Sequence, residues 1–308
     1  MSLLSVCRDV CRRVQVNEPS AIISASDSGA KKLLTLATES AKNIIRQFDW
    51  TKNMRDIYFT KPAASVTSIT LSGATATVTT AAAHNMITGC RVLIVGADQS
   101  AYNIEGQVTV TGTTTFTYQV SGSPTSPATG TITYFSNIFD LPTDFQRAFA
   151  MTAWDTFNRW QLFGPATPAD WANYTNNVIS APVRRLWRLR NDKFEIFPIN
   201  PYNTTATTFQ INLQYASKAI CTSASGTPQT EWLADGDTFV LDEQLLYLDM
   251  TWRYLSSLNL AYGEQKANYE AYVMKFMADD GSAPMLDASL DNRRVLFNLP
   301  ETGYGISN

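Results

Sequence analysis

The sequence predicts an α+β chain: an α-helical bundle carrying a small β meander, plus an inserted all-β module, either Ig-like or a small barrel. Three observations predict it. Apolar residues recur at helical spacing in both the first fifty and the last seventy residues. Between Pro62 and Phe135 the only charged residues are Arg91, Asp98 and Glu105, and short β-branched runs alternate with turn residues. Strand-like alternation returns around KFEIFPI.

Taken in order, Leu3, Leu4, Cys7, Val10, Cys11 and Val14 form one apolar stripe, predicting a helix over residues 2–16 that breaks near Pro19. Leu33, Leu34, Leu36, Ala37, Ile44, Ile45 and Phe48 predict a second helix over 28–48, with Asp27 or Ser28 as its cap. Residues 54–59 turn strand-like. The Thr/Ser/Gly-rich stretch 62–135 follows, with glycines 73, 89, 96, 106, 112, 122 and 130 punctuating six or seven short strands. Its two ends are expected to lie close together, as an insertion requires. Phe145, Phe149, Ala153, Trp154, Phe157 and Trp160 predict a third main helix over about 142–163, stopped by Gly164-Pro165. Thr167 and Pro168 open a short helix. VRRLWRLR, KFEIFPI and TFQINLQYAS read as strands, with Asn191-Asp192 as a hairpin turn. Helices over about 242–260 and 264–278 close the pattern. The expected organisation is a bundle core of residues 1–61 and 136–280, a module of 62–135, and an extended C-terminal tail of 281–308.

Composition narrows the function. Charged residues are 17% of the chain, low enough to suggest a surface covered by neighbours, and the net charge is -3. Such a balance offers no bulk affinity for phosphates, so DNA would be guided rather than gripped. No apolar run reaches the ~20 residues of a membrane span, and MSLLSVCRDVCRR places charges where a signal peptide needs apolar residues. A chain kept soluble inside a cell is expected, with its four cysteines as buried thiols.

Chemistry-bearing motifs are scarce. The single histidine, His84, reads as a loop residue bonding the backbone, and no cysteine pair has zinc spacing. No phosphate-binding glycine loop and no nucleophile elbow occur. The acids Asp235, Asp237, Asp242 and Glu243 read as a turn and a helix cap rather than a cation site. Trp154, Trp160, Trp171 and Trp187 fall within one stretch and could form a sugar platform, but the helical spacing of the first two favours core packing. No enzyme, cofactor or metal is expected. One basic strip stands out: on a strand, Arg184, Leu186, Arg188 and Arg190 share one face, and Arg185, Trp187 and Leu189 the other. It reads equally as a strip for an acidic partner or as a solvated sheet face whose stems pack over apolar neighbours, with DNA phosphates a distant third.

Two runs carry a resemblance. LP-x-DF … W-D … R-W … GP-x-x-P-x-x-W in residues 141–171, and W-R … A-Y-G-E … Y in residues 252–269, resemble the head-to-tail adaptor (connector) proteins of tailed bacteriophages. The stretch from HNMITG to SPATGT is similar to small β modules of phage neck and tail proteins. The resemblance implies a homo-oligomeric ring, usually of twelve copies, docked on the portal protein. Such a ring extends the DNA channel, lets double-stranded DNA pass without specific binding, and meets tail or nozzle proteins. It implies residence in the virion neck after assembly in the host cytoplasm, and a C-terminal tail that enters the portal. Arg184, Arg185, Arg188, Arg190 and Tyr304 are then the candidate partner contacts. The competing reading is a tail component that binds host carbohydrate through the Thr-rich module.

Overall fold

The computed structural model describes residues 1–156, 159–176, 185–199 and 208–280. The N-terminal part runs through helices α1 (Leu3–Val14) and α2 (Ser28–Gln47) into a long strand, β1 (Met54–Pro62). Seven strands follow: β2 (Ala64–Ser72), β3 (Thr75–Thr80), β4 (Arg91–Ala97), β5 (Glu105–Gln107), β6 (Thr109–Val110), β7 (Thr115–Gln119) and β8 (Gly130–Ser136). Next come β9 (Ile138–Asp140), β10 (Phe145–Ala148), β11 (Trp154–Asp155), β12 (Trp160–Gln161) and helix α3 (Pro168–Asn176). The remainder comprises β13 (Leu186–Arg190), β14 (Lys193–Phe197), β15 (Thr208–Ser217), three two-residue strands β16 (Cys221–Thr222), β17 (Pro228–Gln229) and β18 (Thr238–Phe239), and helices α4 (Glu243–Ser257) and α5 (Gly263–Asp280).

The expected helical bundle with a small meander is not what forms. Among the described residues strand slightly exceeds helix, 32% against 31%, so β structure is no minor adjunct. The largest correction lies at residues 142–163, where a helix was expected and short strands stand instead. Spacings of three and four residues among its aromatics mimic a helical stripe, but the rings go to different places. Phe145 stacks on Tyr215 at 5.5 Å, Ala153 is buried, and Trp160 is 44% exposed. Met151 and Arg159 have φ of 62° and 56°, which no continuous right-handed helix allows. Strand β15 decides the matter by offering backbone partners to both β10 and β11.

The helices make their own core. α1 buries Leu3, Val6, Cys7, Val10 and Cys11; α2 buries Ala30, Leu33, Ala37, Ala41, Ile44 and Ile45; and α4 adds Leu245, Leu246 and Met250. Asp27 and Asp242 cap α2 and α4 by accepting first-turn N–H groups. α5 buries only Tyr269 and Val273 and lies on the surface.

Strands β2–β8 form one antiparallel sheet in the order β5-β4-β8-β2-β3-β7-β6. Its two edges, β5 and β6, are joined through Val108, so the sheet nearly closes on itself around Ile69, Val78, Ile94, Tyr102 and Phe116. Ala64 pairs with Tyr134, which puts the entry and exit of this barrel side by side.

A third core lies between two sheets, β1-β15-β11-β12 and β13-β14-β9. Phe59 stacks on Phe194 at 4.8 Å and Trp187 on Phe194 at 5.3 Å, with Ile196, Ile211 and Leu213 packed around them. Asn53 Nδ2 donates to the Ser217 carbonyl at 2.5 Å, and Thr51 donates N–H and hydroxyl to Asp280, so the helical and sandwich parts are tied.

Candidate functional site

The basic strip is the one sequence-predicted site that the fold builds into a connected structure. Asn191 and Asp192 take left-handed φ of 51° and 55°, the backbone that a tight two-residue hairpin turn needs. That turn sets the register: Leu186 opposite Phe197, Arg188 opposite Glu195, and Arg190 opposite Lys193. Cross-strand neighbours share a face, so Leu186, Arg188, Arg190, Glu195 and Phe197 point to one side.

On that side Glu195 is 1% exposed. Arg188 Nε donates to its Oε2 at 2.6 Å, and Arg190 Nη2 donates to its Oε1 at 3.1 Å. Asn137, also buried, donates to the same carboxylate at 3.3 Å and to the Ile196 carbonyl at 3.1 Å. The Asn137 side-chain carbonyl accepts the backbone N–H of Arg91 at 3.0 Å. Helix α3, opened by Thr167 accepting from the Asp170 N–H, lays Trp171 under the Arg188 guanidinium at 4.0 Å. Trp171 meets Phe197 edge-on at 6.1 Å, and Arg91 stands over Phe197 at 5.1 Å. The contacts therefore close a circuit: Arg91, Phe197, Trp171, Arg188, Glu195, Asn137 and back to Arg91.

Sequence reasoning named Arg188 and Arg190 but missed Arg91, Asn137, Trp171 and Glu195 as their companions. One signal was available, since Arg91 is the only arginine or lysine between Pro62 and Phe135. Arg185 is placed elsewhere. It is 6% exposed and forms a buried ion pair with Asp155 at 2.5 Å, so it anchors β13 to β11. Arg184 and Tyr304 lie outside the described residues, as does the tail from residue 281.

The other chemistry-bearing groups serve the fold. His84 is buried, with Nδ1 accepting the Met86 N–H at 3.0 Å and its ring edge-on to Phe116. Asp235 accepts the N–H groups of Ile22 and Ile23; Asp237 accepts those of Leu233 and Ala234. No cluster of three or more potential metal ligands occurs among the described residues. All four cysteines are buried. Burial above all, then the charges of Cys11 and Asp235, pushes the Cys7 thiol up to about 12, which leaves it protonated and unreactive at neutral pH. No described helix is long and apolar enough to cross a membrane. No known family model and no curated protein matches the chain.

Proposed function

We propose that the chain is a structural virion protein whose copies form a ring joining the portal vertex of a phage head to the tail, extending the DNA channel. The observation that carries this reading is the corner between α4 and α5. Leu258, Leu260 and Tyr262 are 42%, 50% and 39% exposed within five residues, and Trp252 packs on Tyr262 at 6.2 Å. Connecting loops are ordinarily polar, and a contiguous apolar loop on a surface marks a place where another protein sits. On the surface helix α5 a further apolar side chain, Met274, is 71% exposed. The low charge content and the net charge of -3 fit a wall along which DNA slides without sticking. The strands found at residues 142–163 remove the helix that one of the two resembling runs was read on. The reading therefore leans on the α4–α5 corner and on composition.

The glycan-binding alternative needs aromatic rings on the module's surface. All five aromatic residues between Pro62 and Phe135, namely Tyr102, Phe116, Tyr118, Tyr134 and Phe135, are buried, the most exposed at 6%. The module thus lacks a ring platform.

Sedimentation of the purified chain with portal rings tests the proposal. Co-sedimentation is expected for the wild type and its loss for Leu260→Glu with Tyr262→Ser. A wild-type chain that stays single beside portal rings overturns it.

A further inference from the structure

The circuit around Glu195 has an imbalance of charge. Three guanidinium groups, Arg91, Arg188 and Arg190, face one carboxylate. Arg188 and Arg190 use one donor each on Glu195, and among the described residues Arg91 pairs with no acid, its cation resting on the Phe197 ring. The Nε atoms of both Arg91 and Arg190 are buried without a hydrogen-bond partner. A buried unsatisfied donor costs on the order of 1–3 kcal/mol, and more when it is charged. Two such donors in one cluster, with surplus positive charge on guanidinium groups that solvent still reaches, describe a place that gains by receiving an acceptor at its outer N–H groups. Proximity is set by the chain: Gly89 faces Arg190 so closely that a Cβ there would stand 3.5 Å from Nη1, and Gly89 precedes Arg91 by two residues. The guanidinium groups remain reachable, with the Arg188 and Arg190 side chains 19% and 31% exposed.

We infer that the Arg91–Arg188–Arg190 cluster, where the barrel meets the β13–β14 hairpin, is a binding site for the carboxylates of an acidic peptide segment of a partner protein. Its chemistry favours such a segment over nucleic acid. Affinity for DNA grows with the number of phosphates neutralised, and three arginines against one buried glutamate leave only two surplus charges in a chain that is acidic as a whole. Planar guanidinium groups held on aromatic faces suit forked pairing with a carboxylate. Tyr174, one turn beyond Trp171 on α3, is 46% exposed and adds an aromatic ring to the surface of the same helix that a peptide can cover. The site links barrel to body, so an occupant bonded to Arg91 and Arg190 together would clamp the two. The inference does not depend on ring formation, because peptide binding reads it on the isolated chain.

The test is fluorescence anisotropy of a labelled Glu-rich hexapeptide titrated with the full chain at low salt. Competitors are the same peptide with Gln for Glu, inorganic phosphate and a short DNA duplex. The Glu peptide is expected to bind, the Gln peptide not to, and DNA to compete more weakly than unlabelled Glu peptide. Arg91→Gln, which orphans no carboxylate, is expected to weaken the peptide by about tenfold, the worth of one charge-assisted bond. Arg91→Lys should recover part of that loss, and Arg46→Gln on the exposed face of α2 should change nothing. Equal binding of Glu and Gln peptides, tighter binding of DNA, no binding at all, or an unchanged affinity in folded Arg91→Gln would each overturn the inference. If Arg91→Gln loses its cooperative melt, the wild-type comparison of Glu, Gln and DNA ligands decides the matter.

Discussion

At the scale of single residues, burial decides what each ionisable group does. Arg185, just ahead of β13, and Asp155 on β11 are both almost fully enclosed, and their ion pair offsets part of the cost of burying the two charges. Breaking a buried ion pair by removing one partner typically costs about 3–5 kcal/mol, whereas replacing both with apolar residues of similar size is near neutral. Arg185→Met is therefore expected to lower the urea midpoint sharply, and Arg185→Met with Asp155→Leu to restore most of it. Arg188 and Arg190 differ from Arg185 because solvent still reaches them. Their pairing with Glu195 holds the hairpin together, while the Arg91 cation beside them rests on the Phe197 ring and meets no carboxylate among the described residues.

At the scale of elements, two local devices set the boundaries. Asp27 Oδ2 accepts the N–H groups of Gly29 and Ala30 at the start of α2. Asp27→Ala should cost about 1 kcal/mol, the usual worth of a helix cap, read from chemical denaturation. The second device lies in the barrel. Strand β4 bulges between Val95 and Ala97 where it pairs with β8, and Gly96 there has φ of 86°. A side chain at Gly96 would collide with the Thr131 carbonyl, which a rigid backbone cannot avoid. Gly96→Val should destabilise the chain by at least about 2 kcal/mol through strain and lost β4–β8 pairing, seen as a lower melting temperature. Gly130 faces the same crossing from β8, its φ of 111° placing its own open side against the Gly96 carbonyl. The two glycines let the strands approach where the sheet turns back on itself.

At the scale of the whole molecule, three cores are joined through polar contacts, and protons tie them to pH. Cys7 in the helical core and Cys221 beside it have thiols raised from 9.0 to about 12, chiefly by burial. Tyr215, under β10, is raised from 10.0 to about 12 by burial first and then by Asp144. In each case the folded state holds the proton more tightly than the unfolded chain does. The associated stability is complete below about pH 9 and is lost progressively toward pH 12. Thermal melts between pH 7 and 11 should show a flat region followed by a fall above pH 9. Thiol reagents at pH 8 should label Cys7 and Cys221 only after denaturant is added. A flat alkaline limb, or rapid labelling of the native chain, would contradict this account of the core.

How much of this was legible beforehand depended on the distance between partners along the chain. Helices α1, α2 and α4 are readable because their stripes and the capping carboxylates Asp27 and Asp242 act within four residues. The short strands of the module are readable for the same reason, from β-branched runs cut by glycines. The stretch 142–163 misleads because its aromatic spacing fits a helix, and only the long strand β15 shows that its backbone bonds are made elsewhere. The site divides the same way. Alternation along one strand places Arg188 beside Arg190, but their carboxylate and its support come together across large separations: Asn137 stands 46 residues from Arg91 and 58 from Glu195. Local sequence thus settles the period and charge of each segment, since those follow from neighbours along the chain. Which segments meet, and so which charges are neutralised and which are left over, follows from packing between distant residues and is settled only when the chain is folded.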